Sequence, residues 1–306
     1  MSSTLLLSLL LNGLQYGVLL FLLAAGLTLV FGIMSFVNLA HGALYMMGAY
    51  AAAVVLNATG SFTLAVLAAV AACLAIGAAL EYLAVSRLYR RDHLDHVLAT
   101  FGMVMFFNEL ARMIWGSQPY FVSLPASLEG TFELFGFKYP VYRLVIIGAG
   151  VAVALGSYWL IQRTRLGTLI RAGSVNPALV GALGVNIRAL NALLFAIGAG
   201  LAGLAGAFAG PMLSVQSGMG DGVLVTVLVV IVIGGIGSVS GAFVAALIVG
   251  LVDTMGRALL PMLLREFLDR QVANAAGPAL ASMSIYVLMA VVLALRPQGL
   301  FRPYKV

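Results

Sequence analysis

Eight apolar stretches, each long enough to cross a bilayer, follow one another along this chain and decide its fold class before any motif is read. A hydrocarbon layer of ~30 Å, at 1.5 Å of rise per residue, takes roughly 20 residues of helix. Runs of that order lie at about 5–31, 39–56, 62–86, 97–115, 142–161, 189–213, 223–260 and 278–295. Too little polar residue is left to cover a water-soluble core, because 63% of the 306 residues are hydrophobic, only 8% are charged and mean hydropathy is +1.11. In lipid every backbone N–H and C=O must find a partner inside its own segment, which leaves helices for chains of this pattern. The expectation is an all-α fold: one polytopic transmembrane helical bundle over 1–306, with about eight spans, some of them discontinuous.

The charges set the topology. Sixteen basic residues against ten acidic ones give a net charge of +6 and a pI near 9.7. Only two of the sixteen are Lys, and the Arg residues sit in short clusters between apolar runs, so they mark membrane sides and do not form a nucleic-acid face. Arg87, Arg90 and Arg91 form one cluster; Arg163, Arg165, Arg171 and Arg188 a second; Arg296, Arg302 and Lys305 a third. All three belong on the cytoplasmic side, which puts the C-terminus inside, while 116–141, 214–222 and 255–277 face outward. No Lys or Arg precedes Arg87, so the first run lacks the basic flank of a signal peptide and is read as a retained span. Cys73 is the single cysteine and reads as a small buried or lipid-facing residue, with no disulfide or thiolate metal site available.

That topology constrains the run 223–260. Both its ends lie outside, so it must enter and return. Its first apolar part, 223–233, is only about 16 Å long as a helix, roughly half a bilayer. Gly234 to Gly241, GGIGSVSG, follows, and a second apolar helix begins at Ala242. Irregular backbone at that depth survives only under a cover of protein or beside a water-filled cavity. The reading is a broken hairpin with its elbow deep in the membrane or near the cytoplasmic side. The stretch 26–50 has a similar shape, with His41-Gly42-Ala43 where the later segment has Ser240-Gly241-Ala242. Interrupted segments in corresponding positions of two halves point to a pathway between structural repeats. An internal repeat is one reading of this weak similarity and chance is the other; the break also leaves the side of the N-terminus open.

Asn38, His41 and Tyr45 are spaced to share one helical face inside apolar sequence. Such polar residues either line a path or hydrogen-bond helices together. With Gly42, Gly234, Gly235, Gly237, Ser238 and Gly241, Asn38 and His41 make up the candidate translocation path. Glu109 and Arg112 read as an interfacial ion pair, and Glu81 as reaching headgroups or a neighbouring Arg. Asp221 and Asp253 are candidates for an outer docking point and an outer vestibule. His93 and His96 read as a solvated turn, since no third ligand accompanies them. Gly198, Ala202, Gly206 and Gly210, four apart, give a smooth face for close helix packing. GGIGS has no following Lys and fails the phosphate-loop pattern; no HExxH or GxSxG occurs, and the chain is read as no enzyme.

Between two apolar runs lies a basic, glycine-punctuated island, 163–188. Asn176 suits a helix N-cap, Pro177 the first turn and Gly184 the end, giving about two turns. Ala178, Leu179, Ala182 and Leu183 recur at helical spacing and form one apolar face, fit to dock on a partner or to lie on the membrane surface.

Four motifs in order, FGIMSFVNLAHGALYMMGAY, RAGSVNPALVGALGVNI, VIGGIGSVSGAFVAALIVG and RPQGLF, resemble those of permease subunits of bacterial branched-chain amino acid ABC transporters, over nearly the whole chain. The likeness is closer to the LivH type than to its LivM partner. It implies a multi-pass subunit of the bacterial inner membrane that works with a second, LivM-like permease subunit, two cytoplasmic LivG/LivF-like ATPases and a periplasmic substrate-binding protein. ATP and Mg would then be cofactors of those partners and not of this chain. By the same resemblance 163–188 is the cytoplasmic coupling segment, with Arg171, Asn176, Pro177, Ala178, Leu179, Ala182, Leu183 and Gly184 meeting the ATPase. Family members often carry an acidic residue after the RA motif; Asn176-Pro177 here departs from that and removes any salt bridge assumed there. Related permeases serve urea and short amides, which stay open as substrates. A stand-alone secondary transporter or channel is disfavoured by the scarcity of ionisable residues within the spans.

Overall fold

The structure, a computed structural model, describes residues 3–34, 38–89, 91–134 and 137–301. Arg90, Arg302 and Lys305, three of the basic residues used above, and the run 35–37 within the first break lie outside them. Helix α1 spans Ser3–Met34 and α2 Ala40–Thr59; α3, Phe62–Leu80, continues through a π-helical turn, Glu81–Val85, into the short α4, Ser86–Leu88. Then come α5, His93–Trp115, a β-hairpin of β1, Thr131–Leu134, and β2, Phe137–Pro140, and α6, Val141–Arg163. The chain ends with α7, Arg165–Val175; α8, Pro177–Ala182; α9, Ile187–Ala209; α10, Met219–Gly234; α11, Val239–Leu264; and α12, Arg270–Leu295. Eight of these helices are long and apolar enough to cross a membrane, and α10 is a shorter apolar helix. The protein is a polytopic helical bundle.

The hydrophobic pattern explains which helices are inside. Along α1 nearly every residue from Gly17 to Val30 is buried, so this helix is apolar all round and sits at the centre, against α9, α10, α11 and α6. Around it α3, α5, α6 and α12 turn large apolar residues outward, among them Leu67, Phe106, Trp159 and Val287. Lipid tails are as apolar as leucine, so packing between spans rests on close fit. Gly26 faces the Gly198 carbonyl and Gly48 lies against the backbone of Gly203, where a Cβ would collide. Gly198, Ala202 and Gly206 of the predicted smooth face are all buried in such contacts. Phe21 and Phe243 add an edge-to-face ring pair with centroids 5.0 Å apart.

Two ends of the bundle are distinct. At one, the hairpin end, Tyr120 and Val215 exchange backbone hydrogen bonds of 2.8 and 3.0 Å, Asn57 Nδ2 donates to the Tyr120 hydroxyl at 2.5 Å, and Ser217 Oγ donates to the Asn108 carbonyl at 2.9 Å. The first part of α1 belongs here too, since Tyr139 Oη donates to Asn12 Oδ1 at 3.2 Å. At the opposite, basic end lie the end of α6, helices α7 and α8, the start of α9 and the segment after α12. The sequence left the side of the N-terminus open; in the fold, α1 starts at the hairpin end.

Several expectations change. The run 223–260 is two helices as expected, but α11 extends to Leu264 and α12 already starts at Arg270, so the expected loop 255–277 shrinks to 265–269. Charged residues there do not stop the helices, because Arg257 pairs back to Asp253 one turn away and Arg265 bonds Asn274 across the turn. The loop 116–141 carries a hairpin whose strands pair Thr131 with Pro140 through Leu134 with Phe137. His93 and His96 open α5, and His96 is buried, not in a solvated turn. Glu81 is buried in the π-turn and accepts from the Tyr89 hydroxyl at 2.7 Å, and it forms no ion pair with an Arg among the described residues. Burial first and then the Glu81 carboxylate push the Tyr89 phenol far above its usual range. The Glu109–Arg112 pair forms as expected, at 2.9 Å and exposed.

Candidate translocation path and coupling segment

The elbow between α10 and α11 is built by glycines and covered by the chain's own C-terminal segment. Helix α10, 16 residues and about 24 Å long, falls short of a bilayer's ~30 Å. Gly235 at φ 100° and Gly237 at φ 84° take the backbone through the left-handed region that only glycine enters freely. Ser238 Oγ then accepts from Gly241 N at 3.1 Å and caps α11. Gly234 and Gly241 lie backbone to backbone. The carbonyls freed at the end of α10 are taken up by RPQGLF: Leu300 N donates to Ile233 O at 2.8 Å and Phe301 N to Gly234 O at 3.1 Å. Gly299 lies directly on Gly235. This satisfies the requirement that irregular backbone at depth be covered by protein. The position of the elbow follows as well: it lies against 296–301, at the basic end.

Of the candidate path residues, Gly234, Gly235, Gly237, Ser238 and Gly241 therefore form one unit. Gly32 of α1 faces Gly237, so the last turn of α1 lies against the elbow. Asn38 and His41 do not join them. Both are fully buried; Asn38 Oδ1 accepts from Ala40 N at 3.1 Å, and His41 Nε2 donates to the Leu23 carbonyl at 3.1 Å. That carbonyl belongs to α1, so His41 ties α2 to α1. Gly42 packs on Gly220 and Leu224 near the start of α10. Tyr45, one turn beyond His41, turns elsewhere, into a cavity at the hairpin end.

This cavity, of ≈ 290 Å³, was not foreseen. One face of α1 lines it with Asn12, Gln15, Tyr16, Leu19 and Leu20, spaced i, i+3, i+4, i+7, i+8. Tyr45, Arg143, Met212, Val223 and Thr254 close it from α2, α6, the end of α9, α10 and α11. Gln15 is buried and its amide donates to the Met212 sulfur at 3.3 Å. Beside the cavity Asp253, buried on α11, accepts from Arg257 Nε at 2.9 and 2.8 Å, and Arg257 Nη2 reaches Ser282 of α12 at 2.9 Å. Asp253 therefore joins two helices next to the vestibule it was expected to line. Asp221 is exposed at the start of α10 and accepts from Asn108 Nδ2 at 3.3 Å. The polar spacing of 12, 15 and 16 was visible in the sequence, but nothing there showed that Arg143 and Thr254 meet it.

The island folds as two helices, α7 and α8, where one was expected. Thr164 Oγ1 caps α7 by accepting from Gly167 N at 3.1 Å. Arg171 donates to the Ile161 carbonyl, which pins α7 back onto α6. Helix α8 has the expected signals in place: Asn176 Oδ1 accepts from Leu179 N at 2.9 Å, Pro177 stands at N1, and Gly184 closes the turn at φ 90°. Ala178, Leu179, Ala182 and Leu183 are all exposed, Leu179 at 57% and Leu183 at 76%. Val180, not singled out from the sequence, is the buried anchor at 5%. Near the island, Arg87, Arg188, Ser86 and Tyr89 line a basic cleft of ≈ 670 Å³ beside the π-turn.

Eight spans around a short apolar helix broken by glycines from the next define the class: a polytopic membrane protein built as transporters are, with no catalytic set of side chains among the described residues. The model of the family described as "Branched-chain amino acid transport system / permease component" matches residues 9–293, and the chain belongs to that family. It is 29% identical over 306 aligned residues to the high-affinity branched-chain amino acid transport system permease protein BraD of Pseudomonas aeruginosa, covering 95% of this chain and 94% of that one. It is 28% identical to the corresponding LivH protein of Escherichia coli K12, covering 81% and 85% of the two chains. The ribose import permease protein RbsC of Escherichia coli K12 is 27% identical, over 76% of this chain and 72% of its own. No solved structure gives a significant match.

Proposed function

We propose that the chain is the translocation subunit of an ATP-driven importer for branched-chain or related amino acids, in the bacterial inner membrane with its basic end and C-terminus inside. The family match over 9–293 carries this reading. Its partners are a second, LivM-like permease subunit, two LivG/LivF-like ATPases and a periplasmic binding protein. Nucleotide and Mg are held by the ATPases.

The exposed apolar face of α8 supports the coupling role. An apolar face of this size on a capped, six-residue helix stays in water only at a cost, and a groove on a partner removes it. Movement of α8 passes to the start of α9, where Gly181 lies near Ile187, and through Arg171 to the end of α6. From there it reaches α1 and the interrupted helices packed on it.

Reconstitution tests the reading. Proteoliposomes holding the complete assembly take up leucine only with ATP and the binding protein. Uptake by this chain alone, driven by an ion gradient, would falsify the importer assignment.

A further inference from the structure

We infer that the hairpin-end cavity is a binding site for an aliphatic α-amino acid, with Arg143 holding the carboxylate. This deepens the importer reading and rests on it. The argument starts from Arg143, which is half-buried in the first turn of α6. A cation there opposes the helix macrodipole, so it is not placed to stabilise α6. Nor does it reach out toward headgroups, as an interfacial Arg without a partner does. It turns inward and donates to Asn12 Oδ1 of α1. The ion pairs among the described residues are Glu109–Arg112 and Asp253–Arg257, so no described carboxylate pairs with Arg143. A guanidinium has five donors in a fork that matches a carboxylate bidentately.

The rest of the cavity matches the other parts of such a molecule. The Tyr16 hydroxyl on the same wall offers an acceptor for an ammonium group. Leu19, Leu20 and Val223 provide an apolar pocket for a branched side chain. The volume of ≈ 290 Å³ lies at the small end of ligand sites, which run from roughly 300 Å³ upward. Urea or a short amide has no charge to match Arg143, and a sugar has no use for the leucine wall. The chemistry points to a zwitterion with an aliphatic body.

The test uses the complete assembly in nanodiscs without ATP, with labelled leucine as probe. Arg143→Gln is expected to weaken leucine binding at least about tenfold, as loss of a charge-assisted, bidentate contact to a carboxylate does. Val223→Trp, which fills the apolar side of the cavity and leaves the charge, is expected to abolish binding, and it decides the matter if Arg143→Gln does not fold. In competition, 4-methylpentanoate is expected to displace leucine and 3-methylbutylamine to do so far less well. No leucine binding by the wild-type assembly, unchanged binding in the folded variants, or equal competition by the amine each overturns the site. ATP-driven uptake is measured beside it. Uptake that persists in both variants with unchanged binding removes the pocket and leaves the importer standing, whereas no ATP-driven uptake by the wild type removes the importer whatever the cavity binds.

Discussion

The elbow at 235–238 and helix α8 are both short, small-residue interruptions between longer apolar helices, yet the fold treats them in opposite ways. The elbow's backbone is covered: Gly234, Gly235 and Ser238 are buried and the 296–301 segment takes up its free carbonyls, while only Ile236 turns its side chain outward. Helix α8 is held by one buried residue, Val180, and leaves four apolar or small side chains in the open. The difference follows from where each can find hydrogen-bond partners. Backbone at the end of α10 is buried and finds its partners in the 296–301 segment. The ends of α8 are satisfied locally, by Asn176 at one and a left-handed glycine at the other, so its outer face is free for another task.

The sharpest way to break this contrast is Gly235→Val. At φ 100° a β-branched residue is strained by about 1–3 kcal/mol, and its Cβ would in addition lie on the Phe301 carbonyl. The expected outcome is loss of the folded protein from detergent extracts, read by size-exclusion chromatography and thermal melting. A normal melting curve would show that the 296–301 segment does not seal the elbow.

The second largest effect is functional. Leu179→Asp with Leu183→Asp is expected to abolish co-purification of the ATPase subunits while leaving the melting temperature of the isolated chain unchanged, since both side chains are already exposed. Unaltered ATPase association would remove α8 as the docking element. Val180→Ala, one residue away, should behave in reverse. It removes buried packing of about 1–2 kcal/mol from the base of α8, so amide exchange in α8 should rise before any partner is added.

The same contrast explains what could be read from the chain. The spans, the entering and returning run after 223 and the cap of α8 are all written in local sequence: apolar length, a glycine cluster, and Asn-Pro ahead of a Gly. The elbow's cover was not readable, because RPQGLF and GGIGS are some 60 residues apart and their contact is a matter of backbone carbonyls. His41 was legible as a polar residue in an apolar run, but the Leu23 carbonyl that it bonds carries no sequence signature. Arg143 and Asn12 meet across 131 positions, so the cavity they line appears only once α1 and α6 pack. Glu81 was misplaced for a related reason: the π-turn rotates it inward onto Tyr89, and no composition rule marks that turn.

The smallest expected effect separates the two regions most finely. At the elbow, Ser238 caps α11 from a buried position, so its loss also strands a buried amide; at α8, Asn176 caps from an exposed one. Asn176→Ala removes an acceptor whose donor, Leu179 N, can turn to water, and it should cost about 1 kcal/mol of local helix stability. Asn176→Asp keeps the acceptor and places a negative charge at the helix N-terminus, worth about 0.3–1 kcal/mol in favour of the helix. Hydrogen exchange at Leu179 and Val180 should therefore speed up by no more than about fivefold in the alanine variant and slow slightly in the aspartate variant. Equal exchange in all three proteins would mean that α8 is held by Val180 alone. The cap would then be ornamental to the helix, and the departure from an acidic residue at this position would carry no structural consequence.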